Sequence, residues 1–180
     1  AEDIAAVKGS APLVAPLVPT VVDAVYVRLM GYDVTRQYFV KRNHGFNGEL
    51  PDNKNLETCA QIGYRKEMLG RYLTKLVTAE YDEKFIKYLD WVGKIHSSHA
   101  GSRSIEVDYV HCNALFGYVN DVLLNALLTI DMPASVDRNA TARAFTKLLW
   151  VQNDLFARHL IEAPAGGDAA GASRSASASA

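Results

Sequence analysis

The sequence predicts an all-α fold, on three observations. Apolar residues recur at steps of three and four through most of the chain. Capping residues, glycines and prolines fall at the ends of those stretches. β-branched residues never alternate strictly with polar ones, so no strand is expected. The 180 residues suit one domain with a sizeable core. That domain is read as residues 1–162, built from roughly six to eight helices.

The elements follow in order. AEDIAAVKGS is a short helical turn ending at Gly9. Leu13, Leu17, Val21, Val25 and Leu29 recur every fourth residue. Pro16 and Pro19 break that stretch, with a junction near Pro19, because proline lacks a donor and clashes with the preceding turn. Asp33 and Thr35 start another short helix, to about Phe39. NHGFNGELPDNKN, residues 43–55, is a loop by composition. Asn55 is placed to cap a helix from Leu56 to Val77, with Ile62, Leu69, Leu73 and Leu76 as apolar positions. YDEKFIKYLDWVGKIHSSHA forms the next, with Phe85, Leu89, Val92 and His96 on one stripe and Gly101 after its end. Val107, Val110, Ala114, Tyr118 and Val122 line a long helix to about Ile130, which Met132-Pro133 ends. Residues 135–162 form the last helix. The tail, 163–180, is nearly all Ala, Gly and Ser, cannot offset the entropy of ordering, and is expected to be disordered.

Composition narrows the function classes. A net charge of −1 and the absence of a Lys/Arg cluster beyond Lys41-Arg42 argue against a nucleic-acid partner. Cys59 and Cys112 form neither a CxxC pair nor a disulfide framework, so a reducing, cytoplasmic location is expected. No unbroken apolar run reaches the roughly 18 residues of a membrane span, and no signal peptide is expected.

Five histidines are the chemical candidates: His44, His96, His99, His111 and His159. A lone histidine is ordinarily a surface or hydrogen-bonded imidazole. His96 stands out because it shares a face with Val92 and Leu89, where an imidazole is costly unless hydrogen-bonded or ligated. A structural zinc site needs four ligands and HxxH supplies two. A haem iron asks for one neutral imidazole in a pocket between apolar helices.

LVAPLVPTVVDAVYVRL (13–29), YDEKFIKYLDWVGKIH (81–96), IEVDYVHCNALFGYVNDVL (105–123) and KLLWVQNDLFARHL (147–160) together resemble the protoglobin and globin-coupled-sensor family, most closely its single-domain fungal members. The resemblance runs over residues 2–162. It implies a globin fold of sensor-globin type, a three-on-three helical sandwich, binding haem b (iron protoporphyrin IX). It places His96, in VGKIH, on the proximal metal ligand, and Tyr26, in VDAVY, on the distal tyrosine whose hydroxyl can donate to bound O2. It implies pocket walls from Phe39, from Ile62, Arg65, Met68 and Leu69 on the distal helix, from Val92 and Ile95 beside the histidine, and from Tyr109 and Phe116 on the long helix. Arg65, Lys94 or Arg103 could pair with haem propionates. The family usually carries a further helix before the first globin helix, and AEDIAAVKGS begins after where that helix would lie.

Three functions compete on these residues. The first is a haem globin that reversibly binds O2, CO and NO, for sensing, storage or scavenging. It is not an enzyme and has a possible homodimer contact through the last helices. The second is a haem-free globin-fold interaction module in signalling. The third is a metal-dependent enzyme using His96 and His99, which needs a third ligand converging on them.

Overall fold

The computed structural model describes residues 1–50, 56–103 and 105–161. Among them the regular structure is helical: α1 (Glu2–Gly9), α2 (Ala11–Val14), α3 (Val18–Met30), α4 (Asp33–Arg36), α5 (Ala60–Thr78), α6 (Glu83–Ile95), α7 (Tyr109–Thr129) and α8 (Arg138–Leu160). Short 3-10 turns cover Ala15–Leu17, Gln37–Phe39, Leu56–Thr58 and Ser98–Arg103. The expected cap at Asn55 and the expected tail from Ala163 lie outside the described residues.

The proline junction falls where proline chemistry puts it. Pro16 sits inside the turn Ala15–Leu17 and Pro19 in the first turn of α3, where a missing N–H costs nothing. Helical backbone nevertheless continues from Ala11 to Met30. By length and composition that stretch could cross a membrane, which the run broken at the prolines did not suggest. Here one side of it, Val14, Val18, Val22, Val25 and Tyr26, is buried in the core. The buried stripe starts one residue after the expected Leu13 and Leu17, which are only partly covered.

Two further expectations are corrected. α6 ends at Ile95 with His96 as its C-cap, so Gly101 is not its terminal glycine. Gly101 instead turns the following segment, with φ 60° and ψ −130°. On α7 the buried positions are Cys112, Leu123 and Leu127, whereas Val110 is 64% exposed and Ala114 faces solvent. α7 carries apolar residues around most of its circumference, so periodicity could not choose its inner face.

The caps at α6 and α8 are carboxylates. Asp82 accepts from the Phe85 N–H at 2.8 Å and Asp137 from the Ala140 N–H at 3.0 Å. Arg138 donates to the Leu127 and Ile130 carbonyls, closing the C-terminus of α7.

α8 crosses α1, α6 and α7, while α3 packs on α5 and α7, and α1 and α2 lie on α5. These crossings belong to a three-on-three helical sandwich. One core cluster joins Phe85, Leu89, Leu127 and Phe145, and another joins Val25, Phe39, Leu56 and Ile62. Leu89 and Leu127 are almost wholly buried. Each contributes about 1.5–3 kcal/mol of apolar transfer. The surface pair Lys147–Asp3, at 2.8 Å and half-exposed, contributes about 0–1 kcal/mol.

α6 and α8 approach unusually closely at Gly93. A Cβ there would stand 2.6 Å from the Leu155 carbonyl oxygen, a backbone atom that cannot swing aside. This crossing sets where the C-terminal end of α6 lies, and with it His96.

Candidate cofactor cavity

Between the layers lies a mostly apolar cavity of about 290 Å³, walled by α3, α5, α6, α7 and α8. Its size is near the lower end of ligand pockets, about 300–1,000 Å³.

His96 lines it from the end of α6. The ring lies 4.7 Å from Phe156 of α8, and Nδ1 is 2.7 Å from the Val92 carbonyl oxygen. A carbonyl only accepts, so Nδ1 carries the proton and Nε2 keeps its lone pair. No hydrogen bond within the described residues uses Nε2. Burial lowers the imidazole pKa, the Val92 hydrogen bond opposes this, and the charge of Arg65 lowers it further. The neutral form with a free Nε2 lone pair is the species that ligates a metal.

The segment after α6 is tied back onto it. The Ile105 N–H donates to the Ile95 carbonyl at 2.7 Å and the Val107 N–H to the His96 carbonyl at 2.9 Å. Between them Glu106 holds φ 54°, a conformation that costs a non-glycine residue free energy. Ile105 and Val107 are thereby brought into the wall beside His96. His99, beyond the helix end, is exposed and does not line the cavity.

On α3, Tyr26 is 7% exposed and lines the cavity. Its ring lies 5.6 Å from Phe39, and Lys66 Nζ sits 5.7 Å from its centroid. Burial raises the phenol pKa, with Arg65 opposing, so the hydroxyl stays a donor.

The distal helix α5 holds the Phe39 segment by two side chains one turn apart. Gln61, fully buried, donates to the Phe39 and Lys41 carbonyls and accepts from the Asn43 N–H, each at 2.9 Å. Arg65 donates to the Tyr38 carbonyl at 3.1 Å, and its Cζ lies 4.9 Å from the Phe39 centroid.

Of the residues expected at the site, Tyr26, Phe39, Arg65, Met68, Leu69, Val92, Ile95, His96 and Phe116 line this cavity. Ile62 and Tyr109 do not. Ile62 points into the cluster around Leu56, and Tyr109 accepts from Asn153 Nδ2 at 3.0 Å. Lys94 and Arg103 flank Trp91 at 5.9 and 5.8 Å from its ring and are not in the lining. The sequence reading named none of Gln61, Phe156 and Tyr38 for the site, and counted His111 only among the five histidine candidates. The last two line the cavity and meet at 2.9 Å, Tyr38 Oη to His111 Nδ1. Phe156 lies in the WVQNDLFARH segment, whose covered side includes Gln152, Asn153 and Phe156. Cys112 also lines the cavity, and burial, then the charge of Asp108, pushes its thiol up to about 12, which favours the protonated form. Among the described residues no three His, Cys, Asp or Glu side chains converge as a metal site.

The protoglobin family model matches residues 1–165. The chain belongs to the protoglobin family. This protoglobin is also similar in structure to the globin domain of the Geobacter sulfurreducens globin-coupled sensor, with a TM-score of 0.69. That likeness covers 89% of this chain and 90% of that one at 17% identity, and it bears on the fold alone. No curated relative matches the chain in sequence. The fold of this protoglobin is thus the globin fold in its sensor-globin form.

Proposed function

We propose that this protoglobin holds haem b in the cavity through His96 and reversibly binds O2, and CO and NO, in sensing, storage or scavenging. The observation that carries the reading is the His96 geometry: Nδ1 locked to the Val92 carbonyl, Nε2 unused, in an apolar cavity between packed helices. The donor set fits a haem: one neutral imidazole, aromatic and aliphatic walls, and a phenol donor. Bound there, the haem supplies a five-coordinate iron that takes a diatomic gas.

The protein's own residues do the rest. The Val92 carbonyl fixes the His96 tautomer and raises the basicity of its ring. Phe156 sets one contact of the imidazole and Gly93 lets α6 sit close enough to α8 for it. Phe39, Leu69, Val92 and Ile95 exclude water. Tyr26 offers one neutral hydrogen bond, worth about 1 kcal/mol and more in a dry site, to a ligand that gathers negative charge. No step in this reading is enzymatic, and it needs neither nucleic acid nor membrane. A cytoplasmic location suits two free cysteines. A homodimer through α7 and α8 belongs to the same reading, supported by the exposed Trp150, Val151 and Leu128; sedimentation velocity tests it.

An absorption spectrum of the reduced protein, before and after CO, tests the haem reading. We expect a Soret band that shifts with CO. His96→Ala should abolish normal haem retention, while His99→Ala and His111→Ala largely preserve it. Retention by His96→Ala and loss by another variant would move the ligand. A wild-type chain with no Soret band even after haemin is added would favour a haem-free interaction module.

A further inference from the structure

We propose that Tyr38 is a redox-active phenol, with His111 as the base that takes its proton, and that it reduces a small neutral one-electron oxidant of the nitrogen dioxide class. The inference rests on the Tyr38–His111 contact and needs no porphyrin.

A phenol gives up an electron readily when its proton leaves in the same step, because a partly buried site disfavours the charged alternatives. Losing the proton first is opposed here, since desolvation, the largest cause, raises the Tyr38 pKa. The acceptor of each O–H therefore decides which tyrosine can react. Tyr72 donates to the Gln152 amide oxygen, and Tyr64, Tyr81 and Tyr118 donate to the backbone carbonyls of His44, Leu76 and Ala24. Amide and carbonyl oxygens accept a hydrogen bond but do not take the proton. Tyr38 Oη lies 2.9 Å from His111 Nδ1, and a neutral imidazole does take one.

Tyr38 stands on the turn Gln37–Phe39, and His111 in the first turn of α7 behind the N-cap Asp108. Tyr38 Oη is also 3.2 Å from Asp108 Oδ2 and accepts from the Asp108 N–H at 3.3 Å. The shorter contact assigns the phenol proton to Nδ1, with His111 in its Nε2–H tautomer. After transfer, the imidazolium has the Asp108 carboxylate 4.0 Å from Nδ1, and the Asp108 N–H still donates to the phenoxyl oxygen. Tyr38 and His111 both line the mostly apolar cavity, which admits a small neutral molecule more readily than an ion.

In the step, the Tyr38 O–H bond breaks, an N–H bond forms at His111 Nδ1, and one electron passes to nitrogen dioxide. Tyr38 is oxidised to a neutral phenoxyl radical and the oxidant is reduced to nitrite. A second nitrogen dioxide that meets the radical forms a ring C–N bond and displaces the ring proton, which leaves nitrotyrosine at this position.

The test gives limiting nitrogen dioxide to the full chain as purified and maps nitration residue by residue by mass spectrometry. Tyr32, 48% exposed, is the internal reference. We expect Tyr38 to be nitrated ahead of Tyr32, although it is the better covered of the two. His111→Asn keeps a hydrogen-bond acceptor but no base. It should lower the ratio of Tyr38 to Tyr32 nitration about a hundredfold, the low end of what a positioned base contributes. Freeze-quench electron paramagnetic resonance should show a tyrosyl signal that Tyr38→Phe removes. In the wild-type chain that signal should form more slowly in heavy water, a readout that depends on no variant folding. Nitration of Tyr32 first, an unchanged ratio in His111→Asn, a signal that survives Tyr38→Phe, or equal rates in the two solvents would each overturn the proposal.

Discussion

A protonated phenol and a neutral imidazole face one cavity, and each is kept in that state chiefly by burial. Desolvation acts in opposite directions on an acid and on a base: it keeps the proton on Tyr26 and off His96. Both outcomes suit the roles proposed, a donor on one side and a lone pair on the other. Tyr26→Phe should therefore raise the O2 dissociation rate about fivefold or more, since one hydrogen bond is worth about 1 kcal/mol. CO gathers little negative charge, so its rate should change far less. Stopped-flow release of the two gases from the same variant is the measurement, and equal effects would count against the hydroxyl. His96 and Tyr26 were legible as residues because their motifs are local. Arg65 was legible only as a pocket candidate. That its Nε has no partner among the described residues depends on what does not surround it, which no sequence window records.

At the scale of elements, the α6–α8 crossing decides the position of His96. Gly93, inside the VGKIH segment, lies against the Leu155 carbonyl, and three residues later His96 meets Phe156. Gly93→Ala should cost about 1–3 kcal/mol by overpacking, because neither backbone can yield. It should also move His96 and speed haem loss. Denaturant melts of the variant and haem transfer to an acceptor protein read the two effects, and an unperturbed variant would mean the crossing is looser than it is drawn. The α5 face offers a parallel case. Gln61 and Arg65, one turn apart, pin the 38–43 segment by its backbone, so the loop reaches the cavity through carbonyl oxygens. Helix periodicity marked α5 as amphipathic but could not show that a buried glutamine was holding a loop.

For the whole molecule, burial of acids sets the alkaline limit. Tyr26, Tyr72 and Cys112 all have raised pKa values, in each case chiefly from desolvation. An acid whose folded pKa lies above its unfolded value makes stability fall as pH rises. The unfolded chain begins to lose these protons near 9.0 for Cys112 and 10.0 for the two phenols, while the folded chain keeps them. Stability should be fully present below about pH 9 and should decline above it, by up to roughly 1.4 kcal/mol per pH unit for each group titrating. Urea denaturation between pH 8 and 11 should show the decline, and Cys112→Ala should flatten its onset. A flat profile would mean these groups are solvated.

The sequence by itself determined most of the helices and the family, and singled out the imidazole at 96 and the phenol at 26 as candidates, because each is written in local spacing and short motifs. It also placed the proline junction, since proline acts on its own turn. The tertiary structure decided which side of α7 turns inward, because that helix is apolar nearly all round and only its neighbours choose. It turned Ile62 and Tyr109 away from the cavity and brought Phe156, Tyr38 and His111 to it. Among the described residues it also left the buried Nε of Arg65 without a hydrogen-bond partner. These outcomes depend on contacts between residues far apart in the chain, and a contact energy has no value until both partners are in place.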